Sequence, residues 1–285
     1  MNRKSFPHRI LLFINIYSID VVAGALFMGA FASRVLGVEA SCSWYVVLAT
    51  SVWVMYTADH LMDALKGKGY ITIKRHIIHY HHRKVIIAVW VTAGLTAVLT
   101  ALYKLDVQVI RAGIALGLVV GLYLTILYFN SHKRAWLLQK ELFIAVVYVT
   151  GIWLAPVIWH EGRISTSAIL VMANMMLLAW AEGILVSWYE RNEDVLNGHT
   201  SFTTLFGGKA ARGFVFILLI AVIIIALVSW NIYPQRILKA AFLIQFLMAF
   251  VLSFIIMFPS FFRKDFRYRY IGEITFWLPG LILWS

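Results

Sequence analysis

Apolar residues run along this chain in long blocks, separated by short polar stretches. Blocks near bilayer length, about 20 residues, predict helices over 10–33, 41–62, 85–103, 107–129, 139–159, 164–188, 213–231, 238–258 and 270–284, nine in all. The blocks are too long for strands and lack the period-two alternation that a membrane barrel requires. The ninth is short for a full crossing, and "GEITFWLPG" within it predicts a broken or tilted helix. The first block resembles a signal peptide at "MNRKSFPHRILLFINIY", but its apolar part extends from about Ile10 to Ala32, which predicts an uncleaved first helix. Nothing reads as a soluble domain, a long linker or a low-complexity tail. Residues 1–285 are therefore expected to form a single all-α transmembrane domain.

Composition agrees with the pattern. The chain is 62% hydrophobic and 13% charged, against about a quarter charged in a soluble domain. Its one cysteine, Cys42, excludes an internal disulfide and a multi-cysteine metal site. It reads as a small apolar residue in a span.

The net charge of +12 raises nucleic acid as a partner, but the placement of the charge argues against it. The N-terminus and the loops after the second, fourth, sixth and eighth helices carry 19 Lys and Arg, while the opposite side carries 6. The positive-inside rule then puts the N-terminus in the cytoplasm, and nine crossings put the C-terminus outside. The basic excess is mainly a topology signal.

Two acidic stretches fall on the same, cytoplasmic, side. "DHLMDALKG" ends the second helix with Asp59 and Asp63, and "ERNEDVLNG" ends the sixth with Glu190 and Asp194. Each has an acid, three residues, Asp, one residue, Leu, one residue and Gly. Residues four apart share a helix face, so each pair repels itself. Each also lies at a helix C-terminus, where the macrodipole is already negative. A divalent cation reverses that balance. Magnesium takes oxygen ligands and commonly joins one or two carboxylates to phosphates. Gly67 and Gly198 allow the chain to turn after each pair, and Thr200 and Ser201 offer hydroxyl donors. The alternative is a solvated helix end with ordinary charges. The shared skeleton also hints at an internal repeat of helices one to four against five to eight.

With these motifs the sequence resembles the UbiA-type intramembrane prenyltransferases. Their first motif reads roughly N-D-x-x-D-x-x-x-D. Their second reads D-x-x-x-D, followed by a glycine and a threonine-containing turn. Here the second is close, with Glu190, Asp194, Gly198 and "HTSF", while the first keeps Asp59 and Asp63 but has Met55 and Tyr56 where the family has Asn and Asp. The resemblance implies a bundle of nine helices around a central cavity. It implies Mg2+ held by Asp59, Asp63, Glu190 and Asp194, with a prenyl diphosphate as donor and a lipophilic acceptor in the membrane. Loss of an acid at the first motif removes a potential ligand.

Basic groups for the diphosphate are expected from the same side: Arg75 and Lys140 first, then Lys74, Arg191 and Lys209, with Tyr128 as a hydrogen-bond donor. Three acids, Asp20, Glu182 and Glu273, fall inside predicted spans, where ionisable groups face a cavity or a partner. Glu182 lies eight residues before Glu190, two turns deeper on the same face, and Asn174 eight further. Glu182 is a candidate base at the acceptor pocket; the alternative is a hydrogen-bonded packing contact.

"RHIIHYHHRK" gathers His76, His79, His81 and His82, while His8, His60, His132, His160 and His199 stand isolated along the chain. A membrane di-iron oxygenase would need several histidine boxes. The cluster reads as a basic loop near headgroups, or as a source of one proton-transfer group. Within the prenyltransferase reading, a cyclase that ionises the same diphosphate is the nearest rival. A non-catalytic protein that binds or transports an isoprenoid lipid is the other.

Overall fold

The computed structural model describes residues 13–66, 74–129, 140–197 and 200–285. Among them every regular element is a helix: α1 (Ile19–Leu36), α2 (Cys42–Lys66), α3 (Lys74–His81), α4 (Arg83–Lys104), α5 (Val107–Phe129), α6 (Lys140–Trp159), α7 (Thr166–Tyr189), α8 (Arg191–Asn197), α9 (Phe202–Phe206), α10 (Gly208–Ile232), α11 (Arg236–Met257), α12 (Pro259–Phe262) and α13 (Arg267–Thr275), with 3-10 turns over Lys264–Phe266 and Leu278–Trp284. Six of these, α1, α4, α6, α7, α10 and α11, are long and apolar enough to cross a membrane. The chain is thus an all-helical, membrane-embedded protein, since helices satisfy every backbone group internally where lipid offers none.

Two helix starts depart from the sequence expectation, each with a local cause, while the break in the last helix follows it. The predicted span over 10–33 is interrupted at Ser18, whose φ of 55° breaks the helical ladder between helical residues 13–16 and α1. The break is stabilised by side chains. The Trp53 indole donates to the freed Tyr17 carbonyl at 3.0 Å, and the Ser18 hydroxyl bonds the His60 ring at 3.2 Å. The predicted span over 213–231 starts earlier, at Gly208, because Gly207 at φ 84° lets the chain turn straight out of α9. The expected ninth helix is broken, as "GEITFWLPG" implied. Phe276 and Trp277 donate to carbonyls three residues back, and Pro279 opens a 3-10 turn. The nine residues of α13 reach only about 14 Å, half the hydrocarbon thickness.

Two compact units divide the chain: residues 1–26 with 41–105, and residues 27–40 with 106–285. In the first, α2 packs along α4, and the Trp90 indole donates to the Val54 carbonyl at 2.8 Å. In the second, α7, α10 and α11 form the core around Met175, Leu178, Leu219, Met248 and Leu252, all fully buried.

Two polar side chains inside this core meet each other, while the Asn174 Oδ1 finds no hydrogen-bond donor among the described residues. The Asn174 amide donates to Gln245 Oε1 at 3.1 Å, and the Gln245 amide donates to the Val171 carbonyl at 2.8 Å. Asn174 is thus a packing contact between α7 and α11. At the chain's end, Gly280 lies under Phe27; a Cβ there would stand 2.5 Å from the phenyl Cδ1.

Replacing Gln245 by Leu deprives the Asn174 amide of its acceptor and the Val171 carbonyl of its side-chain donor. The expected loss is about 1 kcal/mol, within the range of polar contacts between membrane helices. Adding Asn174→Leu should recover part of it. Unfolding of the two variants in detergent, followed by circular dichroism, checks both statements.

Candidate functional site

In the second unit the acids gather where α7 ends. Its last backbone bond runs from the Glu190 amide to the Val186 carbonyl, and α8 begins one residue on. The helical path nevertheless holds across this joint, because the Asp194 amide donates to the Glu190 carbonyl at 2.9 Å. Glu190 and Asp194 therefore stay one turn apart, as their spacing predicted. Farther along, Ser201 N-caps α9 in a reciprocal pair with Thr204.

The two carboxylates meet different surroundings. Glu190 accepts the Tyr268 hydroxyl at 2.9 Å and pairs with the Arg269 guanidinium at the same Oε1. Both donors come from α13 and are buried. Tyr268 stacks on Tyr189 with ring planes 3° apart and centroids at 4.3 Å, and Tyr189 donates to the Ile255 carbonyl at 2.7 Å. Among the described residues Asp194 has no such clamp. Burial pushes its carboxyl up to about 6, the negative charges of Glu190 and Glu141 push the same way, and the Ser201 hydroxyl and Lys140 pull back. Burial and the Glu190 charge also raise Glu193, against the pull of Arg269 and Arg263.

Glu141, at the start of α6, completes this cluster. It is 7% exposed, and its Oε1 accepts the Phe202 amide at 2.8 Å. Its Oε2 is buried without a hydrogen-bond partner among the described residues. Gly183 makes room for it, since a side chain there would lie 3.4 Å from the Glu141 Cβ.

The predicted site residues fall as follows. Glu190, Asp194, Lys140 and Ser201 come together. The Ser201 hydroxyl is buried and already engaged, while Thr200 is exposed. Arg191 is exposed and lies over Gly208 beside the Trp188 indole, not against the acids. Glu182 sits deeper on α7 against Gly272 of α13, and the Tyr148 hydroxyl is within electrostatic reach of both Glu182 and Glu273. Asp59 is half-buried on α2 in the first unit. Asp63 lies on α2, Arg75 and His76 on α3 and Tyr128 on α5, but their side chains are outside the described residues, as are Gly67, Gly198 and His199 altogether.

Four participants escaped the sequence reading: Arg269, Tyr268, Glu141 and Glu193. Arg269 was absorbed into the topology count of basic residues, although "FRYRY" sets arginines between aromatics at 266–270. Glu141 stands next to Lys140 and was masked by it. His60, isolated in the sequence, packs edge-on against buried His79 at 5.5 Å between ring centroids. Among the described residues no three His, Cys, Asp or Glu side chains gather closely enough to hold a metal by themselves.

Comparison with known proteins gives no match, whether to a family model, a curated protein or a solved structure. What the chain and its structure define is a class: a helical membrane protein with a desolvated acidic cluster at the end of one of its long apolar helices.

The raised Asp194 carboxyl predicts a pH dependence. Its folded value lies above its ordinary 3.8, so the folded state binds the proton more tightly. The resulting penalty is absent below pH 3.8 and grows until about pH 6. Asp194→Asn should therefore be more stable than wild type at pH 7 in chelator, by on the order of 1 kcal/mol after allowance for partial exposure. The difference should vanish near pH 4. Melting curves of both proteins between pH 4 and 7 check this.

Proposed function

We propose that this chain is a membrane-embedded enzyme that transfers a prenyl group from an isoprenoid diphosphate to a lipophilic acceptor, using Mg2+ at the acidic cluster. The N-terminus and both acidic motifs face the cytoplasm in this reading. The observation that carries it is Asp194: a desolvated carboxylate held beside further acids, offset among the described residues by Lys140 and Ser201. Such a group is costly until a cation reaches it.

The residues fit a hard cation. The donors are all oxygen, burial and neighbouring acids outweigh Lys140 and Ser201 at Asp194, and Glu141 Oε2 has lone pairs that nothing described satisfies. Fewer than three protein ligands gather among the described residues, which suits magnesium, because it keeps waters and substrate phosphates in its shell. Glu190 and Asp194 would hold the ion in this unit. The UbiA resemblance assigns Asp59 and Asp63 the same role. Bound magnesium would stabilise the charge that develops on the diphosphate.

The protein's own groups do the remainder. Lys140 stands at the opening of α6, where it adds positive charge beside Asp194. As the C1–O bond breaks, its electron pair leaves with the diphosphate, and fixed positive charge there lowers the barrier. The acceptor atom then bonds to C1 and gives up a proton. Glu182, two turns deeper on α7, would take it.

One observation favours a second reading. Glu190 is already neutralised by Arg269, as a metal-free protein that binds an isoprenoid lipid would require.

Purified full-length protein, labelled farnesyl or geranylgeranyl diphosphate and a candidate acceptor separate the two. Magnesium-dependent release of diphosphate, reduced about 100-fold or more in Asp194→Asn, supports the enzyme. Saturable binding with no release under any acceptor selects the lipid-binding protein. A cyclic product formed without acceptor assigns a cyclase instead.

A further inference from the structure

Arg269 is the feature of this site that prenyl transfer, as derived above, leaves unused. It is 7% exposed and forms an ion pair with Glu190. A guanidinium offers five donors in a planar fork. Arg269 spends Nη2 on Glu190, while the neighbouring Tyr268 hydroxyl occupies the same carboxylate oxygen. The arginine thus stands where a cation is needed, and it is itself a cation that matches phosphate oxygens.

We infer that Arg269 is a resident counter-ion that holds Glu190 in the absence of metal, and that it passes to the phosphate groups of the incoming ligand when a divalent cation takes the carboxylate. The inference rests on the reading of this cluster as a metal–diphosphate site and deepens it. The physical argument is one of charge balance in a dry place. A cation arriving alone must expel Arg269 from Glu190 and leave a buried guanidinium without its hydrogen-bonded carboxylate, with only the charges of Glu273 and Glu193 acting on it among the described residues, which is costly. An anion arriving alone finds Arg269 committed and the carboxylates repelling it. Arriving together, the two satisfy every charge: the cation meets Glu190 and Asp194, and Arg269 meets phosphate through its fork. Tyr268 keeps the Glu190 carboxylate in place during the exchange, because its ring is stacked on Tyr189. The two ligands should therefore bind with positive coupling, and Arg269 is the group that couples them.

The test uses the detergent-solubilised full chain, Mn2+ followed by the paramagnetic signal of the free ion, and inorganic pyrophosphate followed by tryptophan fluorescence under saturating Mn2+. Wild type should bind Mn2+ weakly alone. Arg269→Gln should bind Mn2+ alone about 10-fold more tightly and pyrophosphate about 10-fold less tightly, the usual scale of coupling between sites. A purely structural role for Arg269 gives no tightening. Arg269→Lys keeps the charge without the fork, so Mn2+ affinity should match wild type while pyrophosphate weakens. If Arg269→Gln shows no cooperative melting, Arg269→Lys decides, and unchanged pyrophosphate affinity in it overturns the inference. Mn2+ affinity unchanged or reduced in a folded Arg269→Gln also overturns it, and leaves the metal reading standing provided Asp194→Asn weakens Mn2+. Absence of Mn2+ binding in every variant, with and without pyrophosphate, overturns the metal reading and the inference together.

Discussion

The pairing of Glu190 with Arg269 and Tyr268 is the interaction on which the second unit's organisation depends. A carboxylate at the end of a 24-residue apolar helix cannot be left half-dehydrated and alone. The partner comes from a different part of the chain, nearly 80 residues on, so satisfying the charge also places α13. Tyr268 then stacks on Tyr189, and Tyr189 bonds the Ile255 carbonyl on α11. One charge requirement thereby ties α7, α11 and α13 at a common end. Losing either member of such a pair costs more than the pair contributes, because the survivor stays buried.

Going inward along α7, the polar groups on one face meet different surroundings. Glu190 is ionic and paired. Glu182 lies against Gly272, close to Tyr148 and Glu273. Asn174 is neutral and fully buried, and it is held by Gln245. The eight-residue spacing that put these three on one face thus gives each its own means of meeting the cost of burial.

The helical class, the membrane setting and most long helices were legible because apolar runs of bilayer length are a strong, local signal. The turn from Glu190 to Asp194 was legible for the same reason: the i to i+4 relation is local, and it persists across the joint between α7 and α8. What could not be read was tertiary choice. Nothing local says which of 25 basic residues is drawn inward to a carboxylate, so Arg269 looked like a topology marker. The break at Ser18 was also hidden. It depends on Trp53 and His60 arriving from α2 to satisfy groups that an isolated sequence would keep inside a helix. Glu141 was overlooked because a basic neighbour explained the same position.

The contact between Gly280 and Phe27 joins positions more than 250 residues apart. Position 280 is not free to change alone during evolution. A larger side chain there becomes acceptable only after position 27 has shrunk or turned away, whereas a smaller residue at 27 with Gly280 unchanged costs only packing. The pair should therefore change in a fixed sequence of steps across related chains, with the aromatic ring yielding first.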